Sequence, residues 1–118
     1  MSGQIALTEA VYYILLSLCE PRHGYGIMKR TQELSGGRVM LAAGTLYGAL
    51  STLCEKGWIR PTDGGEGRQK AYGLTEQGAA ILLAEFERLK SLVKSGETVL
   101  GGAEDDENRA KMVLGMGI

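Results

Sequence analysis

The chain has 118 residues, of which 44% are hydrophobic and 23% charged. That is material for one domain with a single modest core. The net charge is −1, and no apolar run approaches the ~18 residues needed to cross a bilayer, so a membrane-spanning protein is excluded. The start, Met1-Ser2-Gly3-Gln4-Ile5, has no basic leader region, and a cytoplasmic location is expected.

The first helix is expected over Thr8–Cys19. Thr8 offers an N-cap and Glu9 suits the positive end of the helix dipole. Val11, Ile14, Leu15 and Leu18 share one face, and Pro21 stops the helix. A second helix is expected from near Gly24 to near Leu34, with Ile27, Thr31 and Leu34 sharing a face and Ser35-Gly36-Gly37 as its stop. His23 stands before it as a capping residue. Residues Arg38 to Ala43 connect to a third helix, from Gly44 or Thr45 to Lys56, closed by Gly57. Leu46, Leu50 and Leu53 form its core stripe.

The pattern then changes. Trp58–Thr62 reads as a strand, and Pro61 places it at a sheet edge. Asp63–Gly67 is a glycine-rich turn and Arg68–Leu74 a returning strand, together one β-hairpin. Thr75 caps a long helix from Glu76 to about Ser95. Leu82, Phe86, Leu89 and Val93 recur on one face of it, an apolar stripe larger than a preceding compact unit needs. Gly96 and Gly101-Gly102 punctuate its end, and Ala103–Leu114 suggests a last short helix.

The near-neutral total hides a segregation of charge. From Arg22 to Lys70 the chain carries +4; the remainder carries −5, with Glu104, Asp105, Asp106 and Glu107 clustered near the end. A DNA-facing half and a solvent- or partner-facing half give this kind of asymmetry. One histidine, His23, and no CxxC pair leave no metal site in view and no cofactor. Cys19 and Cys54 lie in apolar helical patterns and read as reduced, buried thiols.

Three helices, a hairpin and a long helix form the layout of a winged helix-turn-helix unit, mainly α with a β-hairpin wing. A helix fits the major groove, the helix before it crosses the backbone, and the hairpin reaches a neighbouring groove. Several segments carry a family resemblance: Gly24-Tyr25-Gly26; the run Gly44-Thr45-Leu46-Tyr47-Gly48-Ala49-Leu50-Ser51-Thr52-Leu53; Glu55-Lys56-Gly57-Trp58-Ile59; and Gly67 to Gly78. Together they resemble PadR-family regulators, closely over Leu7 to Gly78 and in layout over the long helix, and the length resembles the subgroup with a single C-terminal helix. The chain departs from the family where Ala42-Ala43 replace Ser-Pro, Cys54 replaces Glu and Gln69 replaces Pro.

The resemblance implies a homodimeric repressor on a palindromic operator, with residues 1–75 binding DNA and 76–118 forming the dimerisation helix and tail. It also implies an aromatic-lined cavity for a small hydrophobic or aromatic effector, for which Trp58 is the candidate. Trp58 has a plainer reading, as the anchor of the wing to the core. The candidate DNA-binding residues are Tyr25, Lys29, Thr45, Tyr47, Ser51, Thr52, Arg68 and Lys70. Each has a plainer reading too: Tyr47 and Tyr25 as packing residues, Lys29 and the α-helical hydroxyls as a solvated face, Arg68 and Lys70 as charges that keep an exposed hairpin soluble. Leu82, Phe86, Leu89 and Val93 are the candidate dimer interface, or else an ordinary core face. The competing function is a winged-helix protein-interaction module without specific DNA binding. No Ser/His/Asp set, P-loop or paired carboxylate cleft suggests an enzyme.

Overall fold

The computed structural model describes residues 6–62, 70–101 and 105–115. Its elements are helix α1 (Glu9–Ser17), strand β1 (Arg22–His23), helix α2 (Gly24–Leu34), helix α3 (Ala43–Glu55), strands β2 (Ile59–Pro61) and β3 (Ala71–Leu74), helix α4 (Glu76–Leu100) and helix α5 (Asp106–Val113). The chain divides into two compact units, Met1–Glu85 and Phe86–Ile118.

Capping chemistry fixes most boundaries of the first unit. The Thr8 hydroxyl accepts the Val11 N–H at 3.2 Å and opens α1. At the end of α2, Gly36 takes a left-handed φ of 64°. The Gly36 N–H then donates to the Glu33 carbonyl and the Gly37 N–H to the Gln32 carbonyl, which satisfies carbonyls the helix leaves open. Gly57 (φ 80°) repeats this at the end of α3: its N–H donates to the Cys54 carbonyl, and the Trp58 N–H to the Leu53 carbonyl. Thr75 closes the next junction. Its hydroxyl accepts the Gly78 N–H at 3.0 Å and donates to the Gly57 carbonyl at 2.6 Å.

The sheet has three strands in the order β1-β3-β2, both pairs antiparallel. β2 is therefore an edge strand, where Pro61 leaves no ladder bond unmade. β1 is an addition to the expected hairpin: Arg22 pairs with Tyr72 and His23 with Ala71. Two residues are too few for a period-2 pattern to register. Ile14, Leu15 and Leu18, Ile27, the Leu46, Leu50 and Leu53 stripe, Trp58, Ile59, Tyr72 and Leu82 form one core. Burying each large side chain is worth roughly 1.5–3 kcal/mol.

Several expectations need correction. The first helix ends at Ser17, so Cys19 lies beyond it and is exposed, while Cys54 is half-buried. Burial pushes the Cys54 thiol up, and nearby Lys70 offsets only part of that. His23 occupies the N-cap position of α2 but makes no side-chain capping bond. The long helix runs past Gly96 to Leu100, and the last helix covers Asp106–Val113 rather than Ala103–Leu114. The expected turn at 63–67 and the start of the returning strand, Arg68 included, lie outside the described residues.

One core atom is out of balance. The Thr31 hydroxyl of α2 is fully buried and has no hydrogen-bond partner among the described residues. A buried unpaired polar group costs roughly 1–3 kcal/mol, and an apolar group of the same shape removes that cost. Thr31→Val is therefore expected to raise stability by about 1 kcal/mol, read as a higher urea midpoint at unchanged slope. A lower midpoint would mean that the hydroxyl has a partner in solution.

Candidate nucleic-acid interface

The α2–α3 pair positions most of the candidate residues. Gly24 is the first residue of α2, and a Cβ there would collide with the Tyr47 hydroxyl and ring. Glycine at 24 is thus what lets Tyr47, on the first turns of α3, lie across the start of α2. Tyr47 is half-buried by this packing and touches the core. Tyr25 projects beside it at 73% exposure. The two tyrosines, with Met28, Ala43 and Gly44, line an open cleft of about 500 Å³. One turn along α2, Lys29 joins Tyr25 on a wider concavity of about 680 Å³ that includes Gln32 and Met40. Tyr25 is common to both concavities, with Tyr47 on the first and Lys29 on the second.

The outward face of α3 lies opposite Leu46, Leu50 and Leu53. Thr45, Ser51 and Thr52 are all exposed on it, as are Gly44 and Gly48. Thr52 stands apart from the tyrosine cleft. It lines a groove of about 320 Å³ with Leu7, Val11, Leu53, Lys56 and Trp58. Trp58 itself is only 8% exposed and belongs to the core, and the Lys56 ammonium lies 5.3 Å from its ring centre. Lys70, just before β3, is half-buried; Arg68 falls outside the described residues.

The positive segment is less free than a residue count suggests. Arg22 donates from Nε to the Ser17 carbonyl at 2.7 Å and lies 3.7 Å from Glu20. Arg38 pairs with Glu9 at 2.7 Å, and Arg30 with Glu33 at 3.3 Å. Among the described basic residues of this segment, Lys29, Lys56, Arg60 and Lys70 take part in none of these ion pairs.

The four stripe residues of α4 separate. Leu82 is 6% exposed and packs in the core of its own unit. In the second unit, Phe86 (45%) and Val93 (62%) are exposed and Leu89 is half-buried. The helix extends beyond the expected end, so the stripe extends too. Phe86, Leu89, Val93, Gly96 and Leu100 recur at intervals of three and four, the 3.5-residue period of a helix–helix seam.

Two features were not legible in the sequence. Glu85 of α4 is buried and accepts the Leu7 N–H at 3.2 Å, which ties the segment before α1 to α4. Its charge also helps to raise the Tyr12 phenol, after burial. In the sequence Glu85 and Glu87 lie among basic residues and read as solvated charges, which gives no hint of burial or of a contact 78 residues away. The Tyr47–Gly24 contact is similarly non-local; the only hint is that a glycine opens α2 where no turn requires one. Among the described residues, no His, Cys, Asp or Glu group converges as a metal site, and no helix is long and apolar enough to cross a membrane.

Three helices followed by a small antiparallel sheet, with an uncluttered outward face on α3, form a winged helix-turn-helix unit. The chain belongs to the transcriptional regulator PadR-like family, whose model matches residues 13–84. A curated relative, an uncharacterized 37.1 kDa protein in transposon TN4556 of Streptomyces fradiae, is 36% identical over 85 residues, covering 71% of this chain and 24% of that protein. The chain thus spans about a quarter of that relative's length. Among solved structures, a PadR family transcription regulator from hypervirulent Clostridium difficile R20291 is 26% identical, with a TM-score of 0.63 over 77% of this chain and 96% of that one. A transcriptional regulator from Clostridium thermocellum is 22% identical (TM-score 0.61, 76% and 87% covered). A PadR-like regulator from Bacillus cereus strain ATCC 14579 is 20% identical (TM-score 0.58, 81% and 92% covered).

Proposed function

We propose that this chain is a homodimeric repressor that binds a palindromic operator in double-stranded DNA within the cytoplasm. Residues 1–75 bind the DNA, and residues 76–118 supply the dimerisation helix and tail. The observation that carries the reading is the continuous α4. It leaves Phe86 and Val93 exposed on a seam of 3.5-residue period, as a helix awaiting an identical partner would. Two copies related by a twofold axis present two α3 helices to two half-sites. Tyr25, Lys29 and Tyr47 take the phosphate backbone, Thr45, Ser51 and Thr52 face the groove, and Arg68 and Lys70 reach from the wing.

Fluorescence anisotropy on a labelled duplex from upstream of the chain's own gene, against a scrambled duplex, tests this over a salt series. Tighter binding to the native duplex with a steep salt slope is expected. Each phosphate contact steepens that slope by about 0.9. Lys29→Ala is expected to flatten it by about that much per subunit while leaving the preference between duplexes intact. Equal, weak and salt-insensitive binding to both duplexes would favour a protein-interaction module instead.

The effector part of the reading rests on the groove beside Trp58. It is mostly apolar, and its volume of about 320 Å³ lies at the lower end of small-ligand sites. Trp58 is the chain's single tryptophan, so its emission reports the groove directly. A planar apolar effector is expected to quench it saturably. A flat titration with compounds that release the protein from DNA would leave Trp58 as the anchor of the wing alone.

A further inference from the structure

We infer that α3 reads thymine methyl groups in its operator and that Thr45 is the residue that does so. The inference rests on the DNA-binding reading above and adds to it what the reading helix recognises. The outward face of α3 carries Gly44, Thr45, Gly48, Ser51, Thr52 and Glu55, all exposed. None of them bears a guanidinium, an ammonium or a carboxamide; the one cation at this end, the C-cap Lys56, has its ammonium over the Trp58 ring, 5.3 Å from its centre. Those groups make the bidentate contacts that select guanine (Arg, Lys) or adenine (Asn, Gln) in the major groove. What this face offers instead is hydroxyls, threonine methyls, bare backbone and one carboxylate.

Of the marks that bases display in the major groove, the C5-methyl of thymine is the one met by a small apolar contact, a threonine methyl included. Three observations single out Thr45. It lies in the first turns of α3, the end of a reading helix that reaches base edges. Gly44 and Gly48 flank it, each with open space where a Cβ would stand, so the backbone can come a side chain's depth nearer the groove floor. Glu55, on the same face at the far end of the helix, repels phosphate and disfavours a pose in which that end lies along the backbone. Thr52, the other methyl-bearing residue of the face, lines the groove beside Trp58. Cationic contacts are left to Lys29 and the wing, away from the bases.

The test begins with the full chain selecting duplexes from a random pool. Each thymine of the selected site is then replaced singly by deoxyuridine, which removes the methyl and nothing else. At one position per half-site the replacement is expected to weaken binding about fourfold, the worth of one buried methyl at ~0.8 kcal/mol per group. Thr45→Ser keeps the hydroxyl and removes the protein's methyl. It is expected to cost a similar factor on the thymine duplex, to make that duplex indifferent to deoxyuridine, and to leave the salt slope unchanged. Tight selected binding with no deoxyuridine effect anywhere, or an undiminished effect with Thr45→Ser, overturns the inference and leaves the regulator reading standing. Failure to select any duplex at low salt overturns both.

Discussion

Replacing Gly78 by alanine is expected to cost about 1–3 kcal/mol of stability, although the same change in an exposed helix interior gains about 1 kcal/mol. Gly78 sits in the first turn of α4 and is buried. A Cβ there would run into the Trp58 carbonyl oxygen, with the Trp58 carbonyl carbon and Cα close behind. That obstacle is backbone, not the free end of a side chain, and it is held from several directions. The Trp58 carbonyl accepts the Thr75 N–H at 3.0 Å, the Trp58 N–H donates to the Leu53 carbonyl at 3.1 Å, and the indole is packed in the core. Relief therefore requires moving α4 away from the base of the wing. Overpacking of this kind costs roughly 1–3 kcal/mol, occasionally more, against a total of about 5–15 kcal/mol. A thermal melt followed by circular dichroism should show the midpoint falling by about 10 °C or more. Gly48→Ala is the control: nothing stands within 4 Å of its Cβ position, so its midpoint should rise slightly. A Gly78→Ala midpoint within a degree or two of the parent would show that this junction yields.

Val93→Asp is expected to abolish the dimer without unfolding the protomer. Val93 is exposed and lies in the second unit, so the core that ends at Leu82 does not involve it. In a symmetric seam, each copy would place its new carboxylate in the interface. Desolvating an unpaired charge costs several kcal/mol per ion, which weakens association on the order of a thousandfold or more. Sedimentation equilibrium should show the mass halve at micromolar concentration, and operator affinity should fall at least a hundredfold because one half-site is lost. Leu83→Glu gives the comparison. Leu83 is equally exposed but sits about 100° around the helix from Leu82, off the seam, and its variant should remain dimeric. A dimeric Val93→Asp would place the interface on another face.

Where the fold was legible in the sequence, single residues carried the information. Gly36 and Gly57 end α2 and α3 because each adopts a positive φ, and glycine alone does so without penalty. Thr75 announced the start of α4 because its hydroxyl serves the open N–H of Gly78. Gly96 misled for the converse reason. A glycine in a helix costs only about 1 kcal/mol, and with polar, helix-compatible neighbours on both sides the backbone continues through it to Leu100. β1 was illegible because its two residues owe their strand geometry to Tyr72 and Ala71, far along the chain. Within the candidate interface, residue types suggested Tyr25, Lys29 and Tyr47. What lets Tyr47 lie across the start of α2 is the absence of a side chain at Gly24, a fact about volume that no charge or periodicity pattern records. The charge segregation was visible but overstated, since Arg22, Arg30 and Arg38 have protein partners.

The junction of Gly57, Trp58, Thr75 and Gly78 has one more consequence. It joins the end of α3, the start of β2 and the start of α4 through hydrogen bonds of 2.6 to 3.1 Å and one close backbone contact. Such a joint has little torsional freedom left to lose. A protein whose reading helix swung freely on its wing would have to freeze that motion on meeting DNA, and the entropy lost would come out of the affinity. On the proposed DNA-binding reading, the ordering is completed when the chain folds, and a small number of contacts would suffice to hold a duplex.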